Sequence, residues 1–225
     1  MFSTRYCWAF FIFGCLALQS QKNFTGYIQP QLALNYNVAP FYSHNHSIQT
    51  RNYFYTHGEF GLEVRQFDLS HFSNFKIFDN QTLALGIMYR FRDNFDRGPN
   101  ELRLTQQYNL TFKKFVVRYG HRLRTEQRIT NMVTIHRFRY RFSLDFPLVG
   151  ERLDIGEPYL VGNLETLLSV ARTKQPQYDQ RLTLNLGWLL NEEIKLQVGT
   201  EYRFENFTQK TENVLFFVTT LNLSL

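Results

Sequence analysis

Apolar and polar residues alternate along most of the chain, with a period of two. In the clearest segment, residues 136–146, mainly aromatic and aliphatic side chains occupy every second position, and Arg137, Arg139 and Arg141 stand between them. This pattern predicts a β-strand with one apolar and one charged face, because successive side chains of a strand point to opposite sides. The two faces require two different environments.

The same alternation recurs in nine further segments. Beyond residue 20 no run reaches the 18 apolar residues of a membrane helix, and no apolar pattern keeps a helical period. We predict an all-β fold of about ten antiparallel strands, with twelve as the alternative. Residues 51–77 are too long for one regular strand and should contain a bulge or a break. The segments are 24–36, 51–77, 83–91, 101–110, 115–124, 136–146, 158–170, 180–188, 194–204 and 213–225.

The connections between these segments alternate in length, as they do in outer-membrane barrels. We expect the longer or more polar connections at one rim, with the mostly short ones at the other. An even number of strands would bring both chain ends to the same rim. The first group is 37–50, 92–100, 126–133, 172–178 and 206–212, and the second is 78–81, 112–114, 190–193 and the unusually long 147–157.

Two barrel architectures fit such strands. A soluble ligand-binding barrel turns its apolar faces inward, whereas a membrane barrel turns them toward lipid and keeps the polar faces in its lumen. The basic residues comprise 18 arginines and only 7 lysines. Arginine suits paired, desolvated positions, whereas a solvated surface usually includes more lysine. We therefore favour a transmembrane β-barrel, with a soluble exported ligand-binding barrel as an alternative.

The polar faces predict a charged lumen. A barrel of about ten strands is narrow, so long charged side chains from opposite walls should meet, pair and plug it. We interpret this network as structural and predict no catalytic, cofactor or metal residues. Its expected members are Glu63, Arg65, Arg90, Glu101, Arg103, Arg118, Arg122, Arg124, Arg137, Arg139, Arg141, Glu165, Arg181, Glu201 and Arg203.

The first twenty residues have the pattern of a secretory signal peptide. Arg5 precedes an apolar run over residues 7–18, which is too short to cross a membrane as a helix, and polar residues follow near Ser20. A lipidated Cys15 is a less favoured alternative. We expect residues 1–20 to be removed and residues 21–225 to form a single barrel domain.

Short strand motifs resemble a known family. The segments LALGIMYRFR (83–92), ELRLTQQ (101–107), YGHRLRTEQ (119–127), RFRYR (137–141) and GTEYRF (199–204) are similar to those of the DUF2490 family of bacterial proteins, best represented among Bacteroidetes. The resemblance spans nearly all of residues 21–225. It implies an outer-membrane β-barrel of unassigned activity and supplies no catalytic residues.

Enzymatic chemistry has few candidates in the sequence. Glu126 and Asp179 are expected near the outer rim, but carboxylates there more often form salt bridges or contact lipopolysaccharide. The strand histidines considered, His121 and His136, fall on the apolar face near that rim, and Ser143 falls on the face opposite to His136. A rim enzyme acting on lipid or lipopolysaccharide is therefore an alternative that we favour less.

Two further site types are weighed and set aside. His44 and His46 lie in the predicted first long connection, where two histidines without a third ligand are usually solvated and not metal-bound. The net charge of +6 would permit nucleic-acid binding, but in RFRYRF the arginines and aromatic rings lie on opposite strand faces. We predict no nucleic-acid partner and no cofactor.

The function predicted from the sequence is that of a barrel in the cell outer membrane with a structural or small-solute passage role. Its expected partners are outer-membrane lipid, lipopolysaccharide and the barrel-insertion machinery. We expect a monomer.

Overall fold

The computed structural model describes residues 24–225, which form eleven strands and one short helix. The predicted signal peptide, residues 1–20, lies outside the described residues. Within them, no helix is long and apolar enough to cross a membrane. The elements are β1 (Phe24–Ala39), β2 (Tyr42–Thr56), β3 (Glu59–Phe78), β4 (Gln81–Phe91), α1 (Asp93–Asp96), β5 (Glu101–Lys114), β6 (Val117–Ile129), β7 (Thr134–Pro147), β8 (Pro158–Ala171), β9 (Lys174–Leu189), β10 (Ile194–Glu205) and β11 (Glu212–Ser224).

The strands close into one barrel. Each strand pairs antiparallel with the next, and β1 pairs with β11 in parallel. The predicted all-β barrel is confirmed, with eleven strands where the sequence predicted ten or twelve. Because the number is odd, Phe24 and Ser224 lie at opposite ends of the barrel, which we call the N-terminal rim and the C-terminal rim. The prediction that both chain ends share a rim is wrong.

The additional strand comes from a turn within residues 51–77, where a bulge or a break was predicted without a position. His57 and Gly58 have φ angles of 54° and 89° and join β2 to β3. Positive φ at both central residues is what a tight type I′ hairpin requires. This turn divides the long segment 51–77 in two. Residues 37–50, predicted as a long connection, instead form the ends of β1 and β2 around a two-residue turn at Pro40 and Phe41.

From residue 78 onward the connections fall on the predicted sides. Residues 92–100, 130–133, 172–173 and 206–211 lie at the N-terminal rim, and residues 79–80, 115–116, 148–157 and 190–193 lie at the C-terminal rim. The connection at residues 172–173 is much shorter than predicted, because β9 already begins at Lys174.

The two faces of the barrel wall differ sharply in chemistry. Apolar side chains point outward around the barrel, with Leu85 57% and Leu184 53% exposed. Charged side chains point inward and are buried, with Asp68, Glu126 and Glu165 at most 2% exposed. The soluble ligand-binding alternative required apolar faces toward the interior, and the observed orientation is the opposite.

Aromatic side chains form pairs on the outer face near each rim. Tyr89 and Phe91 on β4 have ring centroids 4.7 Å apart near the N-terminal rim, and Tyr202 and Phe204 on β10 repeat this contact at 4.9 Å. Near the C-terminal rim, Tyr42 stacks on Phe75 at 4.8 Å and Phe112 stacks on Tyr119 at 5.3 Å. The outer apolar surface therefore has aromatic residues at both of its edges.

A cluster of buried apolar residues lies inside the barrel near the N-terminal rim. Tyr27, Val214 and Phe216 pack together, and the rings of Tyr27 and Phe216 stack at 4.9 Å. The guanidinium carbon of Arg203 lies 3.8 Å from the centroid of the Phe216 ring. Cation–π contact of this kind allows a charged group to pack against an apolar one. The cluster fills the lumen beside β1, β2 and β11.

Candidate functional site: the charged lumen

Strand register brings arginines directly opposite one another inside the barrel. Between β6 and β7, Arg122 pairs with Arg141 and Arg124 pairs with Arg139. Like charges at directly opposite positions destabilise a sheet. These inward arginines therefore depend on carboxylates that neighbouring strands supply.

Glu165 on β8 supplies the most shared of these carboxylates. Its oxygens lie 2.5 Å from Arg139 Nη2, 2.9 Å from Arg141 Nε, 3.1 Å from Arg122 Nη2 and 3.6 Å from Arg181 Nη1. The residue is 2% exposed. One buried carboxylate thus joins arginines of β6, β7 and β9.

Glu126 and Glu101 extend the same system toward the N-terminal rim. Glu126 lies 2.7 Å from Arg139, 3.4 Å from Arg124 and 3.7 Å from Arg103. Glu101 lies 2.6 Å from both Arg103 and Arg128. These ion pairs form one connected system of seven guanidinium groups and three carboxylates. We call it the arginine network, and its members are Arg103, Arg122, Arg124, Arg128, Arg139, Arg141, Arg181, Glu101, Glu126 and Glu165.

Other ion pairs in the lumen are closer to charge balance. Arg90 binds Asp68 through two hydrogen bonds of 2.8 Å, the bidentate geometry that is strongest for these groups. Arg203 donates from Nε to Glu201 at 2.5 Å. The excess of positive charge therefore belongs mainly to the arginine network.

Most residues predicted for the lumen are found inside the barrel. Of the other three, two lie near its rims and one is exposed outside the network. Arg65 lies near the N-terminal rim, where it is 3.4 Å from Asp96 of α1 and donates to the Tyr27 hydroxyl. Arg118 lies near the C-terminal rim, pairs with Asp145 at 2.9 Å and has a 62% exposed side chain. Glu63 is exposed and lies outside the network, because β4 pairs with β3 only from Phe67 onward and leaves this part of β3 without a neighbour on that side.

Four charged residues outside the predicted network also belong to the charged lumen. Asp68 lies in the segment whose register was not assigned, and Arg128 was assigned to a connection. Glu126, predicted on the polar face near the outer rim, lies inside the barrel toward the N-terminal rim and is 1% exposed among three arginines. Asp179, also expected near the rim, is 5% exposed and accepts a hydrogen bond from the backbone N–H of Asn206 at 2.9 Å.

A polar cavity of about 610 Å³ occupies the lumen from the level of Arg51 and Asp68 toward the C-terminal rim. We call it the lumen cavity. One wall carries arginines of β6 and β7, and the facing wall on β1, β2 and β11 carries mostly amide and hydroxyl side chains. Its charged lining residues are Arg51, Asp68, Arg90, Arg103, Arg122, Arg124, Glu126, Arg139, Arg141, Arg181, Glu201 and Arg203.

A family model matches the chain. The model described as "Protein of unknown function (DUF2490)" matches residues 30–214, which is most of the chain. The chain belongs to the DUF2490 family. Among curated proteins, the search finds no match to it. In this DUF2490 barrel the matched region runs from within β1 to within β11, so it covers the whole arginine network.

The histidines of the DUF2490 barrel lie differently from the prediction. His44 and His46 are in strand β2, not in a loop, and their rings lie 5.0 Å and 4.5 Å from that of His71 on β3. These three side chains are on the outer face. Among residues 24–225, no group of three or more histidine, cysteine or acidic side chains has an arrangement that could hold a metal ion.

The two histidines considered as rim residues lie at different heights of the DUF2490 barrel. His136 is near the N-terminal rim, whereas His121 is nearer the C-terminal rim, where its Nδ1 lies 2.8 Å from the Tyr140 hydroxyl. Ser143 donates to the backbone carbonyl of Gly120 at 3.3 Å and faces away from His136. A different pair is in contact on the outer face: Ser73 Oγ lies 3.2 Å from His71 Nε2. His71 lies within residues 51–77, for which no strand register was predicted.

Proposed function

We propose that this DUF2490 protein is a barrel of the bacterial outer membrane with a structural or small-solute passage role. The observation that carries the proposal is the orientation of the wall, which is apolar outside and polar or charged inside around the closed barrel. Lipid is the environment that favours this orientation, because an apolar exterior is costly in water. The aromatic pairs near both rims fit the two membrane interfaces, where such residues are enriched.

The lumen suits restricted passage better than a wide pore. In the half nearer the N-terminal rim, the lumen contains ion pairs of the arginine network and the cluster of Tyr27, Val214 and Phe216. In the other half, the lumen cavity leaves space for a small solute. Passage would therefore require the charged side chains to rearrange, while a purely structural barrel would keep them paired.

The membrane assignment is tested by folding with and without lipid. Residues 21–225 are refolded into lipid vesicles and, separately, diluted into plain buffer, and unboiled and boiled samples are compared on a gel. We expect a faster-migrating unboiled band with vesicles only, because the apolar exterior needs lipid to fold. Folding as a soluble monomer in buffer would overturn the proposal.

A second candidate function is hydrolysis of a lipid ester on the outer face, and the contact between Ser73 and His71 is what favours it. Ser73 Oγ would attack the ester carbonyl carbon, His71 would accept the hydroxyl proton and return it to the leaving alcohol, and water would then release the fatty acid. The Tyr42 hydroxyl also lies 3.2 Å from Ser73 Oγ. Among the described residues no group partners His71 Nδ1, so an orienting third residue is missing and this function ranks second.

The hydrolase candidate is tested by measuring fatty-acid release from phospholipid vesicles that contain the folded protein. Ser73→Ala should abolish release, and Ser70→Ala is the matched control because Ser70 lies on the same strand and pairs with Ser47 at 2.7 Å. Absence of release by the unaltered protein, or equal release by Ser73→Ala, would exclude this function.

A further inference from the structure

The arginine network carries more positive charge than its own carboxylates can balance. Seven guanidinium groups surround three carboxylates, which leaves an excess of four positive charges. Arginine stays charged at any physiological pH, so this excess is not relieved by loss of protons. Burying a charge without a partner is energetically costly. If these side chains only filled the lumen, we would expect carboxylates to balance the arginines.

Six of the seven arginines of the network line the lumen cavity, and the seventh, Arg128, does not. The side chains of Arg122, Arg124 and Arg141 are 19%, 16% and 27% exposed, whereas those of Arg103, Arg139 and Arg181 are 8% to 9% exposed. All six line the lumen cavity. The three more exposed arginines therefore present their remaining N–H groups to the cavity.

The donors of these three arginines are only partly used by the protein. Arg122 Nη2 and Arg141 Nε both donate to the same oxygen of Glu165, and Arg124 donates mainly to the neutral side chain of Gln107. A guanidinium group has five N–H donors in a planar fork that matches the oxygens of a carboxylate or a phosphate. Several donors on each of these side chains are therefore free for an oxyanion.

Arg51 adds positive charge on another wall of the same cavity. It donates to Gln29 at 3.1 Å and packs 4.9 Å from the centroid of Phe216. Within residues 24–225, none of the ion pairs of the barrel includes Arg51. An anion in the cavity would therefore meet positive charge from two sides.

We propose that the lumen cavity binds a small oxyanion with two or more negative charges, held by Arg122, Arg124 and Arg141. Its volume of about 610 Å³ is within the range of sites that hold small molecules. Amides on the facing wall, such as Gln31, Asn45 and Asn222, provide neutral donors for the rest of the ligand. This proposal rests on the proposed function in one respect: it takes the small solute that enters the lumen to be this anion.

The test measures binding of inorganic pyrophosphate and of citrate to the full chain, extracted in detergent from membranes and shown to be folded by its unboiled gel migration. Isothermal titration is performed with the unaltered protein and with Arg122→Gln, Arg141→Gln and Arg118→Gln. Arg118 is the matched control, because it lies on the same strand as Arg122 but does not line the cavity. Sodium chloride serves as the monovalent comparison.

We expect saturable binding of at least one of the two multivalent anions and none of chloride. Arg122→Gln and Arg141→Gln should each raise Kd about tenfold or more, the size of a lost hydrogen bond to a charged group, while Arg118→Gln leaves Kd nearly unchanged. Which anion binds more tightly distinguishes phosphate from carboxylate ligands.

Two results would overturn the inference. Folded protein that binds neither anion has no such site, and equal loss of affinity in all three variants would indicate general charge attraction. Both outcomes leave the membrane proposal standing, because that proposal is decided by folding in lipid. Conversely, if the protein folds in plain buffer and still binds pyrophosphate, the anion site is supported and the membrane assignment is wrong.

Discussion

At the scale of single residues, Glu165 shows how one side chain can hold several strands together. Its two carboxylate oxygens are shared by Arg122, Arg139, Arg141 and Arg181, which come from three strands. Removing one partner of a buried ion pair is strongly destabilising because the other charge is left without compensation. Here a single substitution would leave four guanidinium groups with weaker partners or none.

We therefore predict that Glu165→Gln lowers the free energy of unfolding by about 3–5 kcal/mol, or prevents folding altogether. Denaturant titration of the vesicle-folded protein, followed by gel migration, measures this change. Glu192→Gln, in the exposed connection at residues 190–193, is the control and should stay within about 0.5 kcal/mol of the unaltered protein. Equal stability of the two variants would show that the lumen does not depend on this carboxylate.

At the scale of elements, the close approach of β9 and β10 depends on a glycine. A Cβ atom at Gly199 would lie 2.1 Å from the carbonyl oxygen of Leu184 and 2.2 Å from Asn185 Oδ1. Backbone cannot move away from such a contact without disturbing the strand pairing. Gly61 on β3, by contrast, has no atom within 4 Å of the position that a Cβ would take.

Gly199→Ala should therefore destabilise the barrel by about 1–3 kcal/mol, as overpacking does, and lower the yield of the faster-migrating folded band. Gly61→Ala should leave stability unchanged or slightly raised, because it restricts only the unfolded chain. The two variants are compared in the same refolding and denaturant experiments. A folded yield for Gly199→Ala equal to that of Gly61→Ala would contradict the close packing described for β9 and β10.

Some features of these elements could be predicted from the sequence alone, and others could not. Alternation is a local property, so RFRYR at residues 137–141 was enough to place Arg137, Arg139 and Arg141 on one face of a strand. A bulge or break was predicted within residues 51–77, but its position at His57 and Gly58 was not, because His-Gly is a weaker turn signal than Asn-Gly. This single miss changed the strand number and the rim of one chain end. The sharing of Glu165 among strands depends on register across the sheet, which no local pattern contains.

At the scale of the whole molecule, the apolar exterior should be sensitive to charge at mid-height and tolerant at the rims. Leu184 lies in the middle of β9 and is 53% exposed on the outer face. Leu190, 48% exposed, lies in the connection at the C-terminal rim. The two leucines have similar exposure and differ mainly in their distance from the C-terminal rim.

If the barrel spans a membrane, Leu184→Arg should cost about 2–4 kcal/mol of folding free energy in vesicles, and Leu190→Arg about 0–1 kcal/mol. Denaturant titration in lipid vesicles measures both values. Similar small losses in the two variants would indicate that the exterior of β9 does not face hydrocarbon.

The parallel pairing of β1 with β11 has a consequence for how copies of this chain can be joined. Since Phe24 and Ser224 lie at opposite rims, a short linker cannot circularise the chain. The linker would have to run the length of a tilted strand of 13 residues, roughly 40 Å. Two copies joined in tandem by a short linker would instead have opposite orientations. The N-terminal rim of the second barrel would then lie on the same side as the C-terminal rim of the first.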